Sequence, residues 1–181
     1  MEIAAIALIS FLTIVYVVAK KTPPPPSSGG PSGTAAVPPS APPAVVTLTI
    51  AEIIESAAAK WNQDPALMKA IAQKESGNNP AAVNPSDPSY GLFQIQEFWL
   101  SYFGYRRDKQ LLMDPVIASD VAARILRYFR LRVNPLTGDY FQFPAEVDIY
   151  NVGETKWARG VRNPAYRDDV ARLYRVFGGK G

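Results

Sequence analysis

The 181 residues contain no histidine and no cysteine. These two absences remove Ser-His-Asp and Cys-His nucleophilic schemes, histidine- or thiolate-bound zinc and any disulfide framework. Proton transfer in this chain must therefore rest on carboxylates, tyrosines or lysines. An excess of one charge sign is also lacking, because 19 Lys and Arg against 16 Asp and Glu leave a net charge of only +3. That balance suits an anionic polymer or surface as partner and is too small to argue for nucleic acid. No internal repeat is apparent, and neither a metal nor a cofactor is indicated. The length allows one ordinary domain plus additional segments, and 48% hydrophobic residues is normal for a packed core.

The first segment, MEIAAIALISFLTIVYVVAKK, is uncharged and mostly apolar from residue 3 to residue 19. This is the short end of what crosses a bilayer as a helix, and residues 1–21 read as a single transmembrane anchor with residues 3–19 in lipid. A cleaved signal peptide is the rival reading, since Val17-Val18-Ala19 resembles a cleavage site. Against it, Glu2 stands where a basic n-region belongs, and Lys20 and Lys21 follow the apolar run. Residues 22–44, TPPPPSSGGPSGTAAVPPSAPPA, have the composition of a flexible linker. Its proline stretches favour extended polyproline II with a rise of ~3.1 Å per residue, and its Gly/Ser patches bend. The folded domain is expected over residues 45–181.

Within that domain the pattern is helical. Thr49 and Glu52 form a capping box ahead of IAEIIESAAAKWNQ, in which Ile50, Ile53, Ile54 and Ala57 make an apolar stripe. Asp64 as N-cap and Pro65 at the first helical position open PALMKAIAQKES, and Gly77 stops it. Asp114-Pro115 starts a long helix whose Ala118, Ala122, Ile125, Leu126, Phe129 and Val133 share a face, with Arg124, Arg127 and Arg130 expected on a solvated one. FPAEVDIYNVGETKWARG and NPAYRDDVARLYRVF are two further helical stretches, the last with Val170, Leu173, Tyr174 and Phe177 in phase. Strand signals are confined to residues 91–96 and 140–143, so the expected class is mainly α with at most a small β element.

One acid is out of place in this pattern. Glu75 lies in the last turn of its helix, at the negative end of the dipole, where a carboxylate is disfavoured by ~0.3–1 kcal/mol. Met68, Ile71, Ala72 and Glu75 fall at i, i+3, i+4 and i+7, so the acid shares the face that turns to the core. Both effects raise its pKa. After it come a loop rich in Asn, Pro and Ser, then SYGLFQI, then the aromatics Phe98, Trp99, Tyr102, Phe103 and Tyr105. Aromatic faces stack on sugar rings, amides bond hydroxyl and acetamido groups, and a carboxyl kept protonated can protonate a glycosidic oxygen. The bland readings are a core of aromatics, Asn-Pro turns and a helix-terminal salt bridge.

Glu75-Ser76, then Asn79, Ala82 and Asn84, then Ser89-Tyr90-Gly91-Leu92-Phe93-Gln94-Ile95 resemble the ES…GLMQI signature of the soluble-lytic-transglycosylase (SLT) family, a branch of the lysozyme-like superfamily. Tyr150-Asn151-Val152-Gly153 is similar to that family's AYNAG segment, and Tyr166 with Val170 resembles its closing Y-V motif. Phe93 stands for the usual Met, and Ile149 and Val152 for alanines, which leaves fine substrate preference open. The resemblance implies a lysozyme-like fold and cleavage of the β-1,4 bond between N-acetylmuramic acid and N-acetylglucosamine in peptidoglycan, leaving a 1,6-anhydro end. It implies no cofactor. It makes Glu75 the acid and then the base, has Tyr150 hydrogen-bond and orient Glu75, gives sugar polar groups to Gln94 and Asn151, and has Ser89 and the Gly91 backbone shape the cleft wall.

A goose-type lysozyme-like hydrolase is the alternative within enzymes, with Asp87 as the possible auxiliary acid and Glu97 the lesser candidate. From another class, the domain is a catalytically idle wall-binding or structural module. For localisation, Lys20 and Lys21 after the anchor predict a cytoplasmic domain. That conflicts with a wall-cutting enzyme. The conflict disappears for a phage whose virion holds an internal membrane taken from the host, where the domain faces the capsid until infection; the alternative is a bacterial inner-membrane protein with a periplasmic domain.

Overall fold

Thr49 and Glu52 close the capping box expected of them: the Glu52 carboxylate accepts from the Thr49 N–H at 2.7 Å and its hydroxyl at 2.8 Å, while the Glu52 N–H donates to Thr49 Oγ1 at 3.3 Å. This cap opens α1 (Ile50–Trp61). The computed structural model describes residues 47–131 and 143–180, and from Thr49 onward these form one compact unit. The expected anchor and linker, Val133 and nearly all of the strand expected over 140–143 lie outside the described residues. Among the described residues no helix is long and apolar enough to cross a membrane.

Asp64 caps α2 (Pro65–Ser76) by accepting from the Ala66 N–H at 2.8 Å, and Gly77 ends it in the left-handed region at φ 64°. There follow β1 (Val83–Asn84), β2 (Ser89–Tyr90), α3 (Phe98–Tyr102), a 3-10 turn (Lys109–Met113), α4 (Pro115–Leu131), α5 (Ala145–Val152), α6 (Glu154–Ala158) and α7 (Pro164–Val176). The two strands are antiparallel, Val83 opposite Tyr90 and Asn84 opposite Ser89. The class is mainly helical with a small sheet, but that sheet lies just before the expected 91–96. Gly91 at φ 74° and Gln94 at φ 46° turn the chain back, so that Tyr90 bridges Ile95 across a tight loop.

The helix α2 is the centre of the packing. Met68, Ala70, Ile71 and Ala72 have no exposed surface, α1 and α7 pack against α2, and α4 and α5 complete the layer. FPAEVDIYNVGETKWARG does not run as one helix. Gly153, at φ 81° and ψ 149°, separates α5 from α6. The exposed segment after Gln96 forms the short α3, whose Leu100 is buried while Phe98 and Tyr102 stay exposed.

The arginines of α4 are not simply a solvated face. Arg124 is half-buried: its guanidinium lies 4.4 Å from the Trp61 ring centroid and donates to the Phe103 carbonyl at 3.1 Å. Arg130 donates to the Asn62 carbonyl at 3.0 Å, and Arg127 is the exposed one of the three. A planar guanidinium on a long apolar stem can cover an aromatic ring and still reach a carbonyl, which periodicity alone does not register. Beside Arg124 the buried Asp120 accepts from Lys60 Nζ at 2.7 Å, Trp61 Nε1 at 2.8 Å and the Tyr105 hydroxyl at 2.9 Å. Burial pushes its carboxyl up, but these donors and the Arg124 charge together hold it below the ordinary range. Burial and the Asp120 hydrogen bond push Tyr105 up to about 12, so it remains a donor.

Gly91 holds the β loop against the 3-10 turn. A Cβ there would sit 1.8 Å from the Leu112 carbonyl oxygen, and the backbone is at a positive φ. Gly91→Ala therefore combines a backbone clash with left-handed strain and is expected to lower stability by on the order of 3 kcal/mol. Urea unfolding followed by circular dichroism measures this, and a loss below 1 kcal/mol would show that the loop relaxes freely.

Candidate active site

The last turn of α2 delivers Glu75 to the floor of a cleft of about 670 Å³. One wall comes from the β loop, with Asn84, Asp87, Ser89 and Gln94, and the other from the end of α5 and the start of α6. Between them Phe98, Trp99 and Tyr102 of α3 join Ile125, Tyr128 and Phe129 of α4 in an apolar, aromatic end. Trp99 is its hinge, with ring centroids of Tyr102, Tyr128 and Phe129 at 5.4, 5.6 and 6.0 Å. Of the five aromatics singled out in the sequence, Phe103 and Tyr105 do not line the cleft. Phe103 stacks behind Trp99 at 5.6 Å and Tyr105 turns to Asp120.

Glu75 is half-buried, and its proton affinity is raised because burial disfavours the carboxylate. A hydrogen bond from the Tyr166 hydroxyl to Oε1 at 2.5 Å, and the neighbouring Lys74 charge, partly oppose that rise. This corrects the expected partner. The Tyr150 hydroxyl donates instead to the Phe93 carbonyl at 2.8 Å, tying α5 to the β loop. The reason is direction: Tyr166 sits in the first turn of α7, which packs along α2, whereas Tyr150 comes from α5 and points at the loop. Tyr150 does lie close enough for the Glu75 charge, after burial, to push its own pKa well up, as it does for Tyr166. Both phenols are therefore kept neutral as donors.

A second contact fixes the same helix crossing. Lys74 Nζ meets Asp169 of α7 at 2.6 Å, one residue before Glu75 and three after Tyr166. Ser76, one residue beyond, donates to the Leu92 carbonyl at 2.9 Å and accepts from the Asn79 N–H at 3.1 Å. The acid is thus flanked by a tie to α7 and a tie to the β loop.

The remaining sequence candidates divide. Gln94 lines the cleft, but its Nε2 donates to the Ala82 and Gly91 carbonyls at 3.2 and 3.0 Å, and its Oε1 accepts from the Ser89 hydroxyl at 3.2 Å. Ser89 and Gln94 brace the wall first and face the cleft second. Gly91 is behind the wall, not in it, held against Leu112. Asn151 lines the cleft and accepts from Asn163 Nδ2 at 2.9 Å. Asp87 also lines it, accepting from Gln96 Nε2 at 3.0 Å, whereas Glu97 is engaged elsewhere, by the Lys109 N–H at 3.1 Å and Arg107 at 3.5 Å. Tyr128, Glu154, Thr155 and Lys156 are lining residues that the sequence reading did not single out. The polar run directly after Tyr150-Asn151-Val152-Gly153 was the signal for three of them. No cluster of three or more acids suited to a metal exists among the described residues.

The geometry agrees with comparison to known proteins. The Shigella flexneri protein IpgF is 31% identical over 130 residues, covering 68% of this chain and 80% of that protein, and the Shigella sonnei IpgF matches to the same extent. The family model for the transglycosylase SLT domain matches residues 52–170, from the first turn of α1 to the middle of α7. The chain therefore belongs to the transglycosylase SLT family of the lysozyme-like superfamily.

Proposed function

We propose that the domain is a peptidoglycan lytic transglycosylase with Glu75 as its one proton-transferring group. The observation that carries this reading is a carboxyl of raised proton affinity in a cleft of about 670 Å³, held from behind by Tyr166. Protonated Glu75 gives its proton to the glycosidic oxygen as the bond from that oxygen to the muramoyl C1 breaks. The resulting carboxylate then takes the proton of the muramoyl C6 hydroxyl, whose oxygen closes onto C1. The atoms balance without water, the product is a 1,6-anhydro end, and Glu75 is left protonated for the next cycle. Tyr166 supports both halves, because its hydroxyl fixes the carboxyl orientation and stabilises the carboxylate between them. The aromatic end receives sugar faces and Asn151 a sugar polar group. Asp87, also in the cleft, is the residue that would position water in a hydrolase.

Glu75→Gln keeps the shape and can still accept from Tyr166, but moves no proton. Its turnover of purified peptidoglycan is expected to fall by at least about 100-fold. Mass spectrometry of the wild-type products should find anhydro ends. Reducing ends in their place would convert the assignment to a hydrolase, and an active Glu75→Gln would remove Glu75 from the mechanism.

Tyr166→Phe tests the support. Loss of a donor to the carboxylate removes an influence that lowers the Glu75 pKa, so that pKa moves further up. The alkaline limb of the rate profile should shift to higher pH while the maximal rate drops by roughly tenfold from lost positioning. A limb that stays in place would show that the hydrogen bond does not act on the titrating group.

The layout of anchor over residues 1–21, linker over 22–44 and enzyme over 45–181 is part of the proposal, as is storage on the inner side of a virion membrane for wall opening during infection. The full chain is expected in the membrane fraction after carbonate washing, and a chain from residue 45 in the soluble fraction with equal activity. Protease added outside spheroplasts should spare the domain. Digestion from outside would favour the periplasmic inner-membrane alternative.

A further inference from the structure

Among the described residues that line the cleft, Lys156 is the one cation, against the carboxyl groups of Glu75, Asp87 and Glu154. It makes no ion pair with any described residue. Glu154, two positions earlier, accepts instead from the Tyr128 hydroxyl at 3.3 Å. The placement of Lys156 is built in. Its carbonyl accepts from the Arg159 and Val161 N–H groups at 3.1 and 3.0 Å, closing the end of α6. Next to it Trp157 is 4% exposed and stacked by the Arg162 guanidinium at 4.2 Å. Successive helical residues project about 100° apart, so burying Trp157 holds its neighbour at the cleft side of a fixed turn.

A neutral glycan needs no cation here. A peptidoglycan strand, in contrast, carries carboxylates on the lactyl-peptide substituent of each muramoyl sugar, and among the described lining residues Lys156 is the cation that can meet one. We infer that Lys156 is a specificity-determining residue that accepts a carboxylate of this peptide substituent and so selects peptide-bearing, anionic strands. The inference rests on the transglycosylase reading above and deepens it. An ammonium group on a flexible stem suits the task, since it receives a carboxylate without demanding one orientation. The pair forms in solvent, so its effect on apparent affinity is modest, about three- to fivefold.

The test uses the full-length chain in detergent and two substrates: sonicated peptidoglycan, and the same material with its carboxyl groups converted to methylamides by carbodiimide and methylamine. For the wild type, KM should be about three- to fivefold higher on the amidated material, with kcat unchanged and with the difference shrinking as salt is added. Lys156→Ala should show the higher KM on both substrates, and Lys156→Arg should restore the preference. Equal KM values for the wild type, or a preference that persists in Lys156→Ala, would overturn this proposal alone. A wild type inactive on both substrates would overturn the transglycosylase reading with it.

Discussion

The short hydrogen bond from Tyr166 to Glu75 is the contact on which the site depends, and it exists because α7 packs along α2 with its first turn beside α2's last. That arrangement is fixed by apolar packing and by two polar ties. Val170 and Tyr174 of α7 are buried in the core, the Tyr174 hydroxyl donates to Asp64 at the start of α2, and Lys74 meets Asp169 near its end. The polar ties therefore lie at both ends of α2. A helix held at two points cannot rotate about its axis, which keeps the Glu75 carboxyl aimed at the cleft. Lys74 and Asp169 are partly exposed and contribute little to stability as a pair. Their geometric effect is larger than their energetic one.

The opposite side of Glu75 is held by a loop whose carbonyls are met by polar side chains of its own and of α2 and α5. Ser76 bonds the Leu92 carbonyl, Tyr150 bonds the Phe93 carbonyl, and the Gln94 amide bonds the Ala82 and Gly91 carbonyls. These are the polar residues of the motifs, and most of their capacity goes to backbone groups. An irregular loop next to a core has carbonyls that no helix or sheet satisfies, and leaving them unpaired costs about 1–3 kcal/mol each. The Ser, Gln and Tyr side chains supply the missing partners. Such a loop can be rigid without a longer sheet, and the cleft wall keeps its shape before any sugar arrives.

This division explains what the sequence made legible. Caps at Thr49, Asp64 and Gly77 are local, and so is the phase that puts Glu75 on the buried face of α2; both were readable from neighbouring residues. The choice between Tyr150 and Tyr166 was not. Both tyrosines belong to the right motifs, and only the packing of α7 on α2 decides which hydroxyl reaches the acid. The same limit applies to Arg124, whose stacking on Trp61 joins residues 63 positions apart, and to the sheet, where the strand tendency of residues 91–96 yields to the turn that Gly91 and Gln94 impose. The aromatic run after Gln96 signalled an apolar cleft end correctly in kind. Its phase within α3 then decided that Phe98, Trp99 and Tyr102 face the cleft while Leu100 is buried.

The absence of histidine has a consequence for stability. With no imidazole in the chain, the cleft's proton carrier is a carboxyl, and burial raises the Glu75 pKa above its ordinary value. A folded-state pKa above the unfolded one favours the fold below the ordinary carboxylate range, and the advantage is lost as pH rises through the folded value. Glu146, buried at the start of α5, has the same sign: burial, opposed by Arg130 and reinforced by Asp64, pushes it from 4.5 up to about 7. Asp120 has the opposite sign, since its donors hold it low and its contribution is lost as pH falls. The two raised glutamates therefore weaken the fold on the alkaline side of a mildly acidic range, and Asp120 weakens it on the acid side. Protonated Glu75 is also the form that begins the proposed reaction, so the conditions that favour the fold at this residue are those that arm the site.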